Sequence, residues 1–391
     1  MACVACGCAS QPTKRLRTVG ARYQAEPYTD RAAVWSHDGS RIAFYRVYAD
    51  HRVQLMVADA RLTSIHALLS PEDVSPDRTL QARTASDRAG NRPAWSPHDR
   101  RVAFQRVEWF TFPDGQKLPG TGLWAIVLST GTVLPIALHP KSYHGSFYYY
   151  RSPAWSPDGR YFALVGEGIY GQSCIIIRPT GALSPEKADL VFDRYESSDW
   201  PVWRPGTGPD VLAYRMVRSA ALAGSDRALI NLLRPGSPRQ AGSGIAWITP
   251  NTPPISSTGG GAAMRVGSIA WSPDGLHIAF TLTPDAADRA ASSVWVVNLK
   301  SHKARRIAFK SAAAVWVGNR TVGYLRKEHG IGWELCVQNI KSGKAHVVGT
   351  VPNSDCQWSP SRSEVVYNTN VPQRGGTTLR VINTGLSRGA E

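Results

Sequence analysis

The chain has 391 residues, of which 42% are hydrophobic, and its formal net charge at pH 7 is +16. No segment reaches 18 consecutive apolar residues, which excludes a membrane-spanning helix. The positive charge is compatible with nucleic acid, anionic lipid or acidic glycans as partners. The sequence contains no run of five or six like charges and no nucleic-acid-binding motif. We therefore expect the arginines to decorate exposed strand faces and loops, and we expect no nucleic-acid partner.

Residues 1–13 form an N-terminal tail that carries Cys3, Cys6 and Cys8. The C-x-x-C spacing of the first two lacks the second pair that a zinc site needs. The segment 7–12, GCASQP, resembles the processing site of a bacterial lipoprotein. That resemblance implies a membrane tether through Cys8 and a location in the cell envelope, either periplasmic or extracellular. The apolar stretch before Cys8 is short for an export signal and has no positive charge ahead of it, so a cytoplasmic location is the alternative.

Seven copies of one pattern follow, here called repeats 1 to 7 in chain order. Each has a small or apolar pair, a marker tryptophan, a polar turn and an alternating segment, as in PAWSPDGRYFALVG at 153–166. The marker tryptophans are Trp35, Trp95, Trp155, Trp203, Trp271, Trp316 and Trp358. Their spacing of 42 to 68 residues is typical of propellers and arrays. We expect all seven to be structural, and Trp155 and Trp271, in the most regular copies, to be buried.

Each repeat predicts four short strands. The residues before the tryptophan form the first strand. In WSPDG, Pro fixes φ, Asp bonds nearby backbone and Gly accepts a positive φ, so the chain turns. The alternating segment after the turn predicts a half-buried second strand. Apolar runs at 53–57, 123–128, 174–177, 228–233, 294–299, 334–340 and 378–382 predict the third strands. A polar turn and one more strand complete the content of a propeller blade.

The WSPDG turn followed by IAF resembles the TolB-type repeat, also called PD40 or WD40-like, over residues 22–385. The resemblance implies an all-β β-propeller, and the seven marker tryptophans predict seven blades. Six blades are the alternative, because the TolB family has six. We expect one propeller domain over residues 14–385, a C-terminal tail over 386–391, and a monomer.

The last repeat lacks a fourth strand in the sequence after residue 382. The basic segment 14–19, KRLRTV, matches the closing strand KARRIA at 303–308 of repeat 5. An N-terminal strand that completes the last blade would remove two exposed sheet edges. We therefore expect residues 14–19 to close the ring.

No catalytic constellation is recognisable. The ten histidines are dispersed, and no metal-binding pair, P-loop or G-x-G-x-x-G is present. Residues 385–389, GLSRG, match G-x-S-x-G, but a nucleophile elbow needs a following helix and a later Asp and His. Cys174, Cys336 and Cys356 fall in predicted strands and are expected to be buried. The sequence thus predicts no enzyme activity, no cofactor and no metal site.

The first strands of all blades start at one end of the central channel of a propeller. Residues shortly before each marker tryptophan are therefore predicted to line one mouth of that channel. We call them the rim set: Arg31, Arg92, Arg151, Asp199, Arg265, Lys310 and Asp355. Five positive groups against two negative ones predict a mouth that attracts anions.

Two aromatic-rich loops are predicted beside this mouth, at 109–112 and 143–150. Exposed aromatic rings next to arginine are typical of binding hot spots. The aromatic residues assigned to the candidate binding site are Trp109, Phe110, Tyr143, Tyr148 and Tyr149.

Two functions agree with these features. The first is a non-catalytic, TolB-like scaffold that binds a protein, a peptide or a cell-envelope ligand at the mouth, with charge favouring an acidic partner. The second is a channel-mouth lyase or hydrolase acting on acidic oligosaccharides, as in seven-bladed propellers that cleave pectate fragments at a His-rich metal site. The sequence favours the scaffold because clustered histidines are not recognisable. Two His or carboxylate side chains within hydrogen-bond reach in the channel would favour the enzyme.

Overall fold

The computed structural model describes part of the chain. The described residues are 27–74, 92–111, 115, 117–137, 147–168, 173–180, 189–191, 196–206, 210–218, 227–235, 264–284, 292–327, 332–361, 363–371 and 376–386. They form 26 β-strands and one four-residue helix, α1 (Pro71–Val74). None of their helices has the length and apolar character needed to cross a bilayer. The fold is all-β, as predicted.

Repeats 1 to 4 contain the first fifteen strands. Their bounds are β1 (Tyr28–Trp35), β2 (Arg41–Tyr48), β3 (Val53–Asp59), β4 (Ile65–Leu69), β5 (Ala94–Trp95), β6 (Arg101–Thr111), β7 (Lys117–Val127), β8 (Thr132–Ala137), β9 (Phe147–Trp155), β10 (Tyr161–Gly168), β11 (Ser173–Pro179), β12 (Asp189–Val191), β13 (Glu196–Trp203), β14 (Leu212–Arg218) and β15 (Arg227–Leu233).

Repeats 5 to 7 contain the other eleven strands. Their bounds are β16 (Met264–Trp271), β17 (His277–Pro284), β18 (Ser293–Asn298), β19 (Lys303–Phe309), β20 (Ser311–Trp316), β21 (Thr321–Arg326), β22 (Trp333–Asn339), β23 (Ala345–Val351), β24 (Cys356–Trp358), β25 (Glu364–Val371) and β26 (Gly376–Asn383). Each predicted third-strand run falls on a strand, namely β3, β7, β11, β15, β18, β22 or β26.

Consecutive strands of each repeat pair in antiparallel fashion. Three sheets hold one repeat each, in the orders β5-β6-β7-β8, β12-β11-β10-β9 and β20-β21-β22-β23. Two sheets hold two repeats each, in the orders β24-β25-β26-β1-β2-β3-β4 and β13-β14-β15-β16-β17-β18-β19. One parallel pair joins the repeats in each of these, Thr29 with Thr377 and Arg227 with Met264. The segment 14–19, predicted to close the last blade, lies outside the described residues.

The polar turns form as the sequence predicts, and side chains stabilise them. In repeat 1, the Ser36 hydroxyl donates to Asp38 at 2.6 Å and accepts from the Arg41 N–H at 2.9 Å. Gly39 has a φ of 73°, which costs little without a Cβ. In repeat 2, Asp99 takes the glycine position at a φ of 53°. Its carboxylate accepts the backbone N–H groups of residues 37 and 38, both at 2.9 Å, so the strained residue links two repeats.

Acid is expected to weaken the repeat 1 turn. The hydroxyl of Ser36 and the backbone N–H of Ser40 donate to Asp38 and lower its pKa to about 2. Because the folded pKa lies below the unfolded one, this stabilisation is present above about pH 4 and is lost as the pH falls towards 2. Asp38→Asn should therefore lower the melting temperature at pH 7, and the difference from wild type should shrink as the pH approaches 2. A difference that is constant with pH would contradict this account.

The first strands of five repeats are interrupted by a β-bulge at a similar place. Register shifts occur in β1, β9, β13, β16 and β20. In four of them the residue three positions before the marker tryptophan has a positive φ; these residues are Ala32, Ser152, Trp200 and Ala313. A bulge breaks the hydrogen-bond ladder and re-aims the neighbouring side chains. These bulges therefore affect the direction of the rim residues next to them, such as Arg31 and Arg151.

The marker tryptophans lie at the contacts between repeats. Trp271 is 7% exposed, and its Nε1 donates to the carbonyl of Val202 in the preceding repeat at 2.9 Å. Four other marker tryptophans donate in the same way, from Nε1 to the backbone carbonyl of the residue just before the marker tryptophan of the adjacent repeat. They are Trp35, Trp95, Trp203 and Trp316. Trp155 departs from the expectation of burial, because it is half-buried and its Nε1 has no partner among the described residues.

The two predicted aromatic loops are largely strands. Residues 109–111 extend β6, pairing Trp109 with Pro119 and Phe110 with Leu118. Residues 147–150 begin β9, and Tyr150 pairs with Gly166. Aromatic residues favour strands because they pack well against side chains on a pleated sheet. The expectation that these two segments are loops is therefore wrong for residues 109–111 and 147–150.

Candidate functional site

Two members of the rim set, from repeats 2 and 7, meet across the first strand of repeat 1. Arg92 Nη2 donates to Asp355 Oδ1 at 2.8 Å, and Arg92 Nη1 donates to the carbonyl of Ala33 at 3.2 Å. The side chains of Arg92 and Asp355 are 37% and 40% exposed, so the pair is open to solvent. A guanidinium has five N–H donors, and described residues use two of those of Arg92. The pair can therefore bind a further acceptor.

Two asparagines orient the carboxylate of this pair. Asn368 Nδ2 donates to Asp355 Oδ2 at 2.9 Å, so each carboxylate oxygen has a fixed donor. The backbone N–H of Asp355 donates to Asn353 Oδ1 at 3.0 Å, and Asn353 Nδ2 donates to the carbonyl of Asn368 at 2.8 Å. Asn368 is buried at 7% exposure. The carboxylate is thus held in place before any ligand arrives, as pre-organised sites require.

A second rim arginine also has a carboxylate partner. Arg151 Nε lies 3.4 Å from Glu167 Oε2, and both side chains are largely buried. Glu167 lies near the end of β10, whereas repeats 1 and 2 have Arg46 and Arg106 near the end of the corresponding strand. The sequence did not single out Glu167. The change from a positive residue in repeats 1 and 2 to a negative residue near the same strand end was the signal that could have identified it. The rim set therefore carries less uncompensated positive charge than its composition predicts.

A buried ion pair lies beside the rim, at the junction of the first and last repeats. Arg46 binds Asp30 through two hydrogen bonds, Nε to Oδ1 at 2.8 Å and Nη2 to Oδ2 at 3.0 Å. Asp30 is 1% exposed, and burial raises the pKa of its carboxyl. Arg46 also stacks on Tyr28, 3.9 Å from the ring centre. The expectation that the strand arginines decorate exposed faces is wrong for Arg46.

The other rim members do not converge on the Arg92–Asp355 pair through any described contact. Arg31 is half-buried on β1, and Lys310 is exposed between β19 and β20. Asp199 lies opposite Arg215, and Arg265 lies opposite Thr283, in their strand pairs.

The aromatic candidates separate into different environments. Trp109 is 45% exposed at the end of β6. Tyr149 is half-buried in β9, while burial raises the pKa of its neighbour Tyr150 to about 12. Phe110 and Tyr148 lie in β6 and β9. Tyr143 lies outside the described residues.

The three cysteines among the described residues supply no nucleophile to this site. Cys174 and Cys336 are buried, as predicted, and Cys356 is half-buried beside the Arg92–Asp355 pair. Burial of its sulfur raises the pKa of Cys356 to about 12, which keeps the thiol protonated at neutral pH.

Histidines do not contribute to the rim in the described part of the chain. The His37 ring lies 2.9 Å from Asp99, but this contact belongs to the turns after Trp35 and Trp95, at the other end of the first strands. No group of three or more His, Cys, Asp or Glu residues that could hold a metal ion occurs among the described residues. These residues therefore do not fit the metal site that the pectate-lyase resemblance implies.

The chain is similar in structure to known β-propellers. Oligogalacturonate lyase in complex with manganese aligns with a TM-score of 0.56 at 10% identity, over 91% of this chain and 89% of the lyase. The propeller domain of the Trilobed protease from Pyrococcus furiosus aligns at 0.55 and 12% identity, over 93% and 99%. A prolyl endopeptidase aligns at 0.55 and 13%, over 93% and 48%.

TolB from Acinetobacter baumannii shares 17% identity, with a TM-score of 0.44, over 89% of this chain and 62% of TolB. The chain thus spans about half of the prolyl endopeptidase and about three fifths of TolB. No family model and no curated protein sequence matches the chain.

These similarities correct the functional expectation. The similar propellers belong mostly to enzymes, including prolyl endopeptidases, an acylaminoacyl peptidase and a lyase. The expectation of a non-catalytic binding scaffold is therefore wrong. It rested on the absence of a recognisable catalytic motif in the sequence. At identities of 8–13% the shared property is the fold. The chain has a β-propeller fold of the kind found in proteases and a lyase.

Proposed function

We propose that this protein is an enzyme that acts on acidic oligosaccharides at the channel mouth, as a lyase or a hydrolase. One observation carries the proposal: an exposed, pre-oriented carboxylate, Asp355, lies 2.8 Å from an exposed guanidinium, Arg92, between repeats 2 and 7. The similarity to oligogalacturonate lyase, over most of both chains, supports the same substrate class.

The pair has the two groups that this chemistry needs. Arg92 binds the carboxylate of a uronate sugar with its remaining donors, by a charge-assisted hydrogen bond. In a lyase, Asp355 takes the proton from the carbon next to that carboxylate, and Arg92 stabilises the negative charge that develops on the carboxylate oxygens. The electron pair of the C–H bond forms a C=C bond, and the glycosidic oxygen leaves with its bonding electrons.

In a hydrolase, Asp355 activates water or protonates the leaving oxygen, and a second carboxylate does the complementary step. Glu167, which is paired with the rim residue Arg151, is a candidate for this second carboxylate. No step in either route passes through a metal ion.

The activity test uses defined oligogalacturonates. A lyase produces an unsaturated product that absorbs ultraviolet light, whereas a hydrolase produces new reducing ends without that absorbance. We expect one of these signals, together with weaker activity on neutral oligosaccharides of the same length. Failure to cleave oligogalacturonate under any tested condition would overturn the proposal.

We further propose that the seven repeats form one closed ring. Contacts between consecutive repeats support it. The Trp35 Nε1 bond to the carbonyl of Gln357, at 3.2 Å, joins the first repeat to the last. Gln105 Nε2 donates to the carbonyl of Tyr150 at 2.8 Å between repeats 2 and 3, and Trp358 packs with Leu325 between repeats 6 and 7.

Closure by residues 14–19 also remains a proposal, as do a single propeller domain and a place in the cell envelope. Deleting residues 1–20 should expose the outer edges of the last blade and lower the melting temperature or solubility. An equally stable truncated protein would count against this closure.

A further inference from the structure

The outer hairpin of repeat 5 carries a dense set of cations. β19 is the last strand of its sheet, and the turn before it continues the same surface. We define the basic strip as the five exposed cations of this segment together with the exposed phenylalanine: Lys300, Lys303, Arg305, Arg306, Phe309 and Lys310. Five cations thus lie within eleven residues that contain no acidic residue.

The cations of the strip are not neutralised by the described part of the chain. No described carboxylate lies within 4.0 Å of them, whereas Arg46, Arg92, Arg151 and Arg326 each have one. Unpaired surface charges keep their field, and several together attract a multivalent anion. Among the described residues, unpaired positive charge is therefore concentrated at this strip.

The strip also offers a ring face. Phe309 is 60% exposed, and the Arg306 guanidinium lies 3.5 Å from its ring centre. The Arg306 guanidinium also lies 5.6 Å from the ring centre of half-buried Trp295. Trp295 Nε1 donates to the Ser293 hydroxyl at 2.9 Å. Aromatic rings bind the apolar faces of other rings, and an adjacent guanidinium binds their anionic substituents.

The strip leads to the channel mouth. Lys310 is both its last residue and a member of the rim set, and its carbonyl accepts the Lys327 N–H at 2.9 Å. Ser311 then begins β20, the first strand of repeat 6. In β19, Lys303 and Arg305 project to one face of the sheet edge and Ala304 to the other. A chain lying along the edge therefore meets regularly spaced cations.

We propose that the basic strip binds the distal part of a long acidic polysaccharide whose reacting end lies in the mouth. This inference rests on the proposed function. Charged side chains also protect sheet edges from aggregation, but that role needs no exposed ring held against a guanidinium. Single-stranded nucleic acid is less well matched, because it stacks successive bases on several rings, and Phe309 is the one exposed aromatic ring among the described residues of the strip.

The experiment measures polygalacturonate binding and cleavage by three variants. Lys303→Glu with Arg305→Glu reverses two charges of the strip, and Phe309→Ala removes the ring. The matched control, Lys341→Glu with Lys344→Glu, makes the same charge change at exposed positions of the next outer hairpin. Melting temperatures confirm that all variants are folded.

We expect the strip double variant to weaken polygalacturonate binding about tenfold or more at low salt, with a smaller effect at high salt. Phe309→Ala should weaken binding about threefold to tenfold at either salt, because stacking is not screened. The control should change binding by less than about twofold. Cleavage of trigalacturonate, too short to span the strip, should keep its wild-type rate in every variant.

Unchanged polygalacturonate binding by the strip variants, or an equal loss in the control, would overturn the inference. Binding of polyglutamate or single-stranded DNA as tightly as polygalacturonate, with no effect of Phe309→Ala, would contradict the polysaccharide assignment. Strip-dependent binding without cleavage of any substrate would reject the proposed enzyme while leaving the strip as a polysaccharide site. Cleavage without strip-dependent binding would support the proposed enzyme and reject the strip as a polysaccharide site.

Discussion

Replacing Trp271 by alanine is expected to lower the free energy of unfolding by about 3–5 kcal/mol, the usual cost of truncating a large buried side chain. The ring is 7% exposed and packs with Val266, Ile278 and Phe280. Removing it leaves a cavity between two repeats and leaves the Val202 carbonyl without its donor. Chemical denaturation of the purified variant measures the change.

Two further substitutions separate the causes. Trp271→Phe keeps most of the ring but loses the hydrogen bond. It should lower the free energy of unfolding by about 1 kcal/mol beyond the loss that the smaller side chain causes. Trp109→Ala makes the same truncation at a side chain that is 45% exposed, and should cost less than about 1 kcal/mol. Equal losses for Trp271→Ala and Trp109→Ala would show that burial between repeats is not the source of the stability.

Asp355→Asn is expected to lower kcat on oligogalacturonate by about 10²- to 10⁴-fold, the usual contribution of a positioned acid or base. The asparagine keeps the shape and still accepts from Arg92, but it cannot take a proton. KM should therefore change little. Arg92→Ala should instead raise KM as well as lower kcat, because it removes the group that binds the substrate carboxylate.

The control for this prediction is Asp210→Asn. Asp210 is also ion-paired with an arginine, Arg160 at 3.1 Å, but it lies near the turns at the other end of the first strands. Its substitution should leave both kinetic constants near the wild-type values. Comparable losses for Asp355→Asn and Asp210→Asn would point to a general effect on folding and against a catalytic role for Asp355.

Much of the strand content was predictable from the sequence because its causes are local. The Ser36–Gly39 turn needs only a serine, an aspartate and a glycine within four residues. The alternation after the turn identified β2 as a strand, but the expectation that this strand is half-buried is wrong. Phe44 and Tyr45 point to opposite faces and are both buried, because neighbouring repeats cover both faces of β2. Extended strands at 109–111 and 147–150 were missed, because pairing across the hairpin decides them rather than loop composition.

The candidate site was predicted only in part. Position before the marker tryptophan identified Arg92 and Asp355, but it gave equal weight to Lys310, which makes no described contact with the pair. No pattern in the sequence singles out Asn368, which orients Asp355. Asn368 can do so because the pairing of β25 with β24 brings it next to Asp355, the residue before β24.

The sequence by itself determined the repeat, the strands and the turns, because these depend on residues within about one strand length of each other. Only the tertiary structure decided which charges are neutralised. Arg92 and Asp355 are 263 residues apart, and Arg46 is buried against Asp30 at the junction of the first and last repeats. The docking of one repeat on the next sets the first of these contacts, whereas the pairing of β1 with β2 sets the second and the junction with β26 buries it. The sequence shows the cluster of cations around β19, but only the structure shows that no described carboxylate pairs with them.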